Sequence, residues 1–447
     1  MTIPEDPRGL VRLSARDTAA LIGEVLVPLI GRGILIRRPK VVGAAQRLDL
    51  DRRAVHRLQV LRDRYGTGPL LLRLPVRRQA VVLAPQDVRR VLDETPEPFA
   101  AASSEKRSAL AHFQPEGVLA STGHQRTVRR ALNEAALETA QPIHHLSERF
   151  GAVVAQEMAP LEAALDGGGQ VCWDEFVVAW FRMVRRVVLG DAARDDHELT
   201  DALAELRAAA NWAFLRPKRT GLRDAFLERL SAHVQRAEPG SLAEAVVRSS
   251  YADDPDASPV QQVPQWLFAF DASAMATYRA LALLASHPDQ AASARAELAG
   301  AGAGAMPVLP FLRATLLESL RLWPTTPAIL RQTTSATAWD GGTLPAGTGV
   351  LVFVPFFSRD DRSLPEANRF SPELWLGQGP HRDWPLIPFS AGPAACPGRN
   401  VVLLLGSLAL ARLLDDRMLV VSGGRMLGPD RPLPGTLSPF ELRFRST

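Results

Sequence analysis

The sequence predicts a mainly α-helical protein that carries small β-sheets, an α+β fold. From about residue 123 to residue 287, apolar residues recur at three and four positions, which is the helical period. Short apolar runs bounded by glycine and proline, typical of strands and turns, lie on either side of that span. Hydrophobic residues make up 46% and charged residues 22% of the 447 positions. These are ordinary values for a globular protein with a large core.

The elements can be placed in chain order. Residues 68–85 hold two apolar runs separated by polar residues, which predicts a pair of strands. A helix begins at Pro85, and residues 96–122 are predicted to be a long loop. Residues 264–288 read as a helix that is apolar nearly all round and is therefore expected to be buried. The remaining predictions are a helix at 311–324, strands and turns at 328–355, a helix after Cys396 and a strand-like tail at 436–446.

We expect one domain over residues 1–447, with a β-rich amino-terminal part of about 1–95 and a helical remainder. No repeat, low-complexity tract or linker divides the sequence. The two cysteines, Cys172 and Cys396, cannot form a disulfide framework, which favours a reducing, cytoplasmic compartment. The apolar stretch at 19–36 is interrupted by charged residues and proline, so neither a signal peptide nor an integral membrane segment is expected.

The charge balance excludes one class of partner. Lysine and arginine exceed aspartate and glutamate by only four. Nucleic-acid binding usually needs a concentrated basic stripe, so we expect no nucleic-acid partner. A modest basic face could still dock an acidic protein, and we expect a monomer.

The stretch FSAGPAACPG at 389–398 contains one of the two cysteines. Pro397 suits the first turn of a helix, so Cys396 is expected near a helix N-terminus, where unpaired N–H groups favour a thiolate. Gly392 and Gly398 would let a flat or bulky group approach the backbone. On the cysteine alone, an inert buried thiol is the commoner explanation.

The wider pattern resembles the cytochrome P450 superfamily. The spacing of Phe389, Gly392, Cys396 and Gly398 matches its haem-ligand signature. The resemblance extends over essentially the whole chain and implies the P450 fold. It also implies a haem b between the long distal helix and the cysteine loop with its proximal helix. Cys396 would then be the axial ligand of the iron, since thiolate ligation favours O–O bond cleavage.

Two further stretches carry the resemblance. ESLR supplies Glu318 and Arg321, which match the Glu-x-x-Arg motif of that family. ANRF at 367–370 resembles the segment that supplies a second arginine, here Arg369. Glu318 and Arg321 share one helix face, and Arg369 is expected to complete a buried ion-paired cluster.

The resemblance also implies residues that hold the haem propionates. Arg331 and Arg129 stand at the positions of propionate-binding arginines. The ring residue expected near Arg129 is Gln125 or His124. Ala394 stands where the family usually has a basic residue.

In the long helix, the oxygen-activation segment falls at FAFDAS, 268–273. Asp271 takes the acidic position, and Ala272 replaces the usual threonine that supports proton delivery. Ser273 is an imperfect substitute, since it points about 100° away. The residues expected to line an apolar substrate pocket are Phe99, Phe113, Phe268, Phe270, Ala328 and Ile329; for the two on the helix, core packing is the commoner explanation.

The resemblance implies a monooxygenase that hydroxylates a lipophilic molecule in secondary metabolism. It would use O2 and NAD(P)H, with electrons from a ferredoxin and a ferredoxin reductase or similar donors docking near Arg399. Because of Ala272, a peroxide-driven, desaturating, coupling or rearranging enzyme remains open, as does a non-catalytic haem or scaffold protein.

Overall fold

The structure is a computed structural model that describes residues 9–75, 77–301, 306–377 and 384–447. Helices dominate these ranges, which confirms the predicted fold class. They are α1 (Ala15–Leu21), α2 (Val27–Arg32), α3 (Pro39–Arg47), α4 (Leu50–Tyr65), α5 (Pro85–Asp93), α6 (Ser104–Leu110), α7 (Gly123–Ala136), α8 (Ser147–Asp166), α9 (Trp173–Leu189), α10 (His197–Ala210), α11 (Thr220–Arg236), α12 (Leu242–Val247), α13 (Pro259–Ser286), α14 (Pro288–Gly300), α15 (Pro310–Leu322), α16 (Val354–Arg359) and α17 (Arg399–Leu414).

The strands form three small sheets within the described residues. They are β1 (Leu70–Leu71), β2 (Gln79–Val81), β3 (Phe99–Ala100), β4 (Gln170–Cys172), β5 (Ala328–Thr333), β6 (Thr337–Trp339), β7 (Gly342–Leu344), β8 (Gly349–Phe353), β9 (Leu419–Gly423) and β10 (Arg443–Ser446). The largest sheet has the order β1-β2-β8-β5-β3, a second has the order β4-β10-β9, and β6 pairs with β7. The antiparallel pairing of β1 with β2 confirms the strand pair predicted at 68–85.

Two parts of the sequence reading were wrong. The amino-terminal part, expected to be β-rich, is mainly helical, because α1 to α5 occupy most of it and only β1 and β2 are strands. Its helices bury one apolar face each: Leu21, Val25 and Leu58 lie in the same core as the largest sheet. The predicted loop at 96–122 contains α6, which begins where the Ser103 side chain accepts the N–H of Lys106.

Helix α13 is the centre of the larger core, as its apolar sequence predicts. It packs against α9, α15 and α17, which also bury apolar side chains. Among the described helices it alone is long and apolar enough to cross a membrane, and 78% of its apolar window is buried inside the fold. The burial identifies it as a core helix.

Candidate functional site

Cys396 lies in a loop that leads directly into α17. Its N–H donates to the carbonyl oxygen of Phe389 at 2.9 Å, and the helix begins three residues later at Arg399. Burial raises the pKa of the Cys396 thiol, and the Gly398 N–H with the charges of Arg130 and Arg399 offsets this only in part. The expectation that the loop alone favours a thiolate is therefore wrong. A thiolate here needs the charge of a bound metal ion.

The two glycines of the loop have different roles. Gly392 has φ +63°, and a Cβ there would lie 2.2 Å from the carbonyl oxygen of Leu92, so the protein itself requires glycine. At Gly398 the nearest protein atom to such a Cβ is a methyl group of Leu137 at 3.8 Å. The fold alone would tolerate a side chain at Gly398, which leaves room beside the sulfur for a bound group.

Glu318 and Arg321 form a completely buried ion pair. Both side chains are 0% exposed, and two N–H···O contacts of 2.6 and 2.8 Å join them. Glu318 also accepts the backbone N–H of Ser371 at 2.9 Å and the indole N–H of Trp375 at 2.8 Å. The remaining N–H groups of Arg321 donate to the carbonyl oxygens of Ser358, Glu366, Ala367 and Arg369.

Arg369 does not complete this cluster with its charge, which corrects the sequence expectation. The residue is exposed and contributes its backbone carbonyl to Arg321. The second buried guanidinium nearby belongs to Arg359, on the short α16. Arg359 donates to the Asn368 side chain and to the carbonyl oxygens of Leu322, Leu433 and Pro434. Burial lowers its pKa to about 9.

Three residues predicted on α7 face away from the cysteine loop. Arg129 donates to the carbonyl oxygen of Asp256 at 2.7 Å and to the hydroxyls of Ser121 and Ser258. Gln125 donates to the Asp256 carboxylate at 3.1 Å, and the exposed His124 lies 3.8 Å from Asp254. These bonds occupy Arg129 between α7 and the segment before α13, so its assignment to a propionate was wrong.

The face of α7 that meets the cysteine loop carries Arg126 and Arg130 instead. Arg126 donates to the carbonyl oxygen of Pro393 at 3.3 Å, and Arg130 donates to that of Ala395 at 2.6 Å. They are four residues apart and therefore share a helix face, whereas Arg129 is rotated by about 100° from Arg130. A shift of one residue in reading the arginine-rich sequence of α7 separates the expected Arg129 from Arg130, which the structure places at the loop.

A group of buried and half-buried cations lies near the loop. Arg331 on β5 is 3% exposed and donates to Thr95 at 3.0 Å, while Lys106 on α6 donates to the carbonyl oxygen of Leu330 at 3.3 Å. Burial and the neighbouring charges lower the pKa of Lys106 to about 7 and that of Arg331 to about 10; Arg126 acts on both. Within the described parts of the chain, neither Lys106 nor Arg331 pairs with a carboxylate.

This cation group fits the carboxylates of a haem. Two propionates would bring the negative charge that Lys106, Arg126 and Arg331 lack, and the sulfur of Cys396 would ligate the iron. Ala394 cannot supply a cation, and Lys106 provides one from another element. The sequence reading missed Lys106, since it treated α6 as loop.

The distal helix α13 keeps solvent access along one stripe. Gln265, Phe268, Ala269 and Ala272 are partly exposed at helical spacing, while neighbouring Ser273 is buried. Ala272 thus borders open space, as predicted, and Ser273 lies on a different face. Ser273 is therefore no substitute for the missing threonine at that position.

Asp271 is ion-paired on the flank of α13 next to this stripe. Its carboxylate lies 2.6 Å from the guanidinium of Arg207 on α10, which stacks on Phe268 at 4.3 Å. Both partners border a cavity of about 640 Å³ between α9, α10 and α13. Asp271 therefore faces this cavity, about 100° around the helix from Ala272.

The predicted pocket residues divide by burial. Phe268 and Ala328 keep partial access, and Phe113 meets Phe268 edge to face with ring centres 6.2 Å apart. Phe270 and Ile329 are packed in the core. Phe99 and Phe113 are both 0% exposed, but Phe113 packs on the accessible Phe268, whereas Phe99 packs edge to face on Trp339 beside the largest sheet, away from Phe268.

His112, a residue that sequence reading missed, is buried before Phe113. It is 1% exposed, and neither ring nitrogen has a hydrogen-bond partner in the described structure. A buried, unpaired imidazole usually signals a missing partner. No local sequence pattern singles this histidine out.

Comparisons with known proteins show what the chain and its fold are similar to. The family model described as Cytochrome P450 matches residues 218–426. Cyclooctat-9-en-7-ol 5-monooxygenase of Streptomyces melanosporofaciens is 29% identical over 213 residues, covering 45% of this chain and 44% of the relative. Probable cytochrome P450 12c1, mitochondrial, of Drosophila melanogaster is 35% identical over 122 residues, covering 25% and 23%.

The matches therefore cover less than half of the length of these relatives. A solved structure covers more: the crystal structure of a cytochrome P450 (CYP102L1) has a TM-score of 0.68 and 20% identity. It covers 88% of this chain and 97% of the other. At that identity the likeness concerns the fold.

Proposed function

Since this chain belongs to the cytochrome P450 superfamily, we propose that it is a haem-thiolate monooxygenase acting on a lipophilic small molecule. The observation that carries the proposal is the combination of the Cys396 loop with the unpaired cations Lys106, Arg126 and Arg331. The cysteine loop offers a ligand for iron, and the three cations offer positive charge for two propionates. Relatives named Cyclooctat-9-en-7-ol 5-monooxygenase and Methyltetrahydroprotoberberine 14-monooxygenase support the reaction class, and we propose a role in secondary metabolism.

Each side of the site has its own task. When bound, haem supplies the chemistry that activates oxygen. Cys396 would ligate its iron, with the Gly398 N–H donating to the sulfur, and Phe268 and Ala328 would contribute to the apolar substrate space. Asp271 borders the cavity between α9, α10 and α13, and Arg207 holds its carboxylate in place.

Electrons would come from NAD(P)H through a ferredoxin and its reductase or similar donors. Arg126, Arg130 and Arg399 lie around the cysteine loop, and Arg399 is exposed. Their positive charge suits an acidic partner protein. The two cysteines are unpaired, which fits the proposed cytoplasmic location.

The ligand assignment can be tested by spectroscopy of the purified holoprotein. Reduced protein under carbon monoxide should show a thiolate-type Soret band, and Cys396→Ala should abolish it. Cys172→Ala is the matched control, because Cys172 is the other free cysteine and lies on β4. An imidazole-type spectrum in the wild type, or an unchanged band in Cys396→Ala, would overturn the proposal.

The missing threonine defines a second test. Turnover with NADPH and redox partners is expected, and Ala272→Thr should increase the share of electrons that end in product. If only peroxide supports turnover, the peroxide-driven alternative replaces this one.

A further inference from the structure

A small cavity lies beside the distal helix, separate from the cation group near the cysteine loop. Its volume is about 30 Å³, which is room for about two waters or one carboxylate group. Three arginines contribute to its wall: Arg32, Arg37 and Arg279. The apolar part of the wall includes Met275 and Pro327.

The cavity holds more positive than negative charge. Arg32 makes a bidentate pair with Asp51, with contacts of 2.5 and 2.7 Å, and the hydroxyl of Thr436 donates to the same carboxylate at 2.7 Å. Asp51 is the only carboxylate among the described residues that line the cavity. Arg37 and Arg279 are therefore not neutralised there.

Arg37 and Arg279 donate only to backbone carbonyls in the described structure. Arg37 donates to Gly33 and, at 2.7 Å, to Thr325. Arg279 is 8% exposed and donates twice to Leu437, at 2.6 and 3.0 Å, and to the carbonyl of Trp323 at 3.3 Å. These bonds fix the position of each guanidinium and leave part of its donors free, because a guanidinium has five N–H groups.

The positive charges of Arg32, Arg37 and Arg279 also repel one another. Burial, with Arg32 as the next cause, lowers the pKa of Arg37 to about 10. Burial, followed by the charge of Arg37, lowers the pKa of Arg279 to about 9. An anion in the cavity would remove this penalty, since a buried charge is stable mainly when it is paired.

The cavity touches the segments that border the proposed substrate space. Met275 follows Ala272 by three residues on α13, and Pro327 immediately precedes Ala328. Arg37 also feels the charges of Asp271 and Arg207. The cavity therefore lies about one helical turn along α13 from Ala272.

We propose that Arg37 and Arg279 bind the carboxylate of an acidic, lipophilic substrate in this cavity. The proposal rests on the monooxygenase function above and narrows its substrate class from lipophilic molecules to lipophilic acids. The same guanidinium chemistry would accept a free inorganic anion, which the experiment separates from a substrate carboxylate.

The test compares dodecanoic acid with 1-dodecanol as probes of the holoprotein, read by the Soret shift and by thermal unfolding. The acid should bind more tightly than the alcohol. Arg37→Gln should weaken binding of the acid about tenfold or more, as loss of a charge-assisted contact predicts. The affinity for the alcohol should change by less than about twofold. Arg37→Lys should retain part of the preference.

Arg38→Gln is the matched control. Arg38 is the neighbouring arginine, donates to the carbonyl of Gly31 and stacks on Trp212, and it does not line the cavity. An acid preference that is absent, or that survives Arg37→Gln, overturns the proposal. So does stabilisation by sodium phosphate or chloride that depends on Arg37 and occurs without an acid preference. Failure of the monooxygenase assignment would appear separately, in the carbon monoxide spectrum.

Discussion

Two clusters of cations lie in the interior of this molecule, and they are built differently. Arg321 has the Glu318 carboxylate at 2.6 Å, and partners surround both groups. Arg331 is also buried and Lys106 is half-buried, yet each donates only to a carbonyl or hydroxyl oxygen of the described chain. One cluster is neutral in itself, and the other is short of negative charge.

The difference separates folding from binding. A buried charge whose counter-charge comes from the same chain is neutralised whenever the chain is folded, and removing one partner alone is costly. A buried charge without one lowers stability until a ligand arrives, and that cost is returned as affinity. The neutral cluster can therefore be assigned to structure and the cationic cluster to a bound anion, and the two should respond in opposite ways to substitution.

The largest effect is expected where the neutral cluster is broken. Glu318→Gln would leave the Arg321 guanidinium buried without its counter-charge, which should cost about 3–5 kcal/mol of unfolding free energy. Urea unfolding measures the loss, and the yield of holoprotein should fall with it. The reason is that both side chains are 0% exposed, so water cannot replace the carboxylate.

Glu94→Gln is the surface control for that substitution. Glu94 pairs with Arg90 at 3.2 Å one helical turn away, and their side chains are 43% and 33% exposed. Such pairs contribute little, so the change should stay below about 0.5 kcal/mol. Equal losses of unfolding free energy in the two variants would mean that burial does not determine how much an ion pair contributes to stability.

Lys106→Met should have opposite effects with and without haem. In the haem-free protein the pKa of Lys106 is about 7, against an ordinary value of 10.5. Between those values the unfolded chain binds the proton and the folded chain does not, so the stability of the haem-free protein rises with pH across this window. Methionine should abolish that rise and stabilise the haem-free protein at pH 7.

With haem bound, a propionate would keep Lys106 charged, and its loss should speed haem release several-fold. Lys218→Met, at an exposed lysine, should change neither property. Unfolding curves of haem-free protein from pH 6 to pH 10 and haem transfer to an acceptor protein provide the two measurements. If Lys106→Met destabilises both the haem-free and the haem-bound protein, the role of Lys106 is structural.

The sequence alone was sufficient to predict those parts of the site that depend on a few residues at fixed spacing. Cys396 before a helix and the Glu318–Arg321 pair are local patterns, and the structure places them as expected. The cation group was only partly predictable, because it combines three distant elements. Arg331 was named, whereas Lys106 required knowing that α6 exists and Arg126 required the rotation of α7.

Which residues of α13 are exposed could not be predicted from the sequence either. Its apolar composition predicts a core helix, and the open stripe around Ala272 depends on what packs beside it. The Asp271 carboxylate has its charge matched by Arg207, 64 residues earlier, which no local pattern indicates.

The smallest effect is expected at Arg369, the arginine that the sequence placed in the neutral cluster. Its side chain is exposed, and only its carbonyl reaches Arg321, so Arg369→Gln should change the unfolding free energy by less than about 0.5 kcal/mol. Arg359→Gln should cost considerably more, because it removes a buried guanidinium that binds four oxygen acceptors. Urea unfolding of the two variants compares them directly. If Arg369→Gln lowers the unfolding free energy more than Arg359→Gln does, the Arg369 guanidinium belongs to the neutral cluster. That cluster would then contain three charged side chains, two of them positive, and would no longer be neutral in itself.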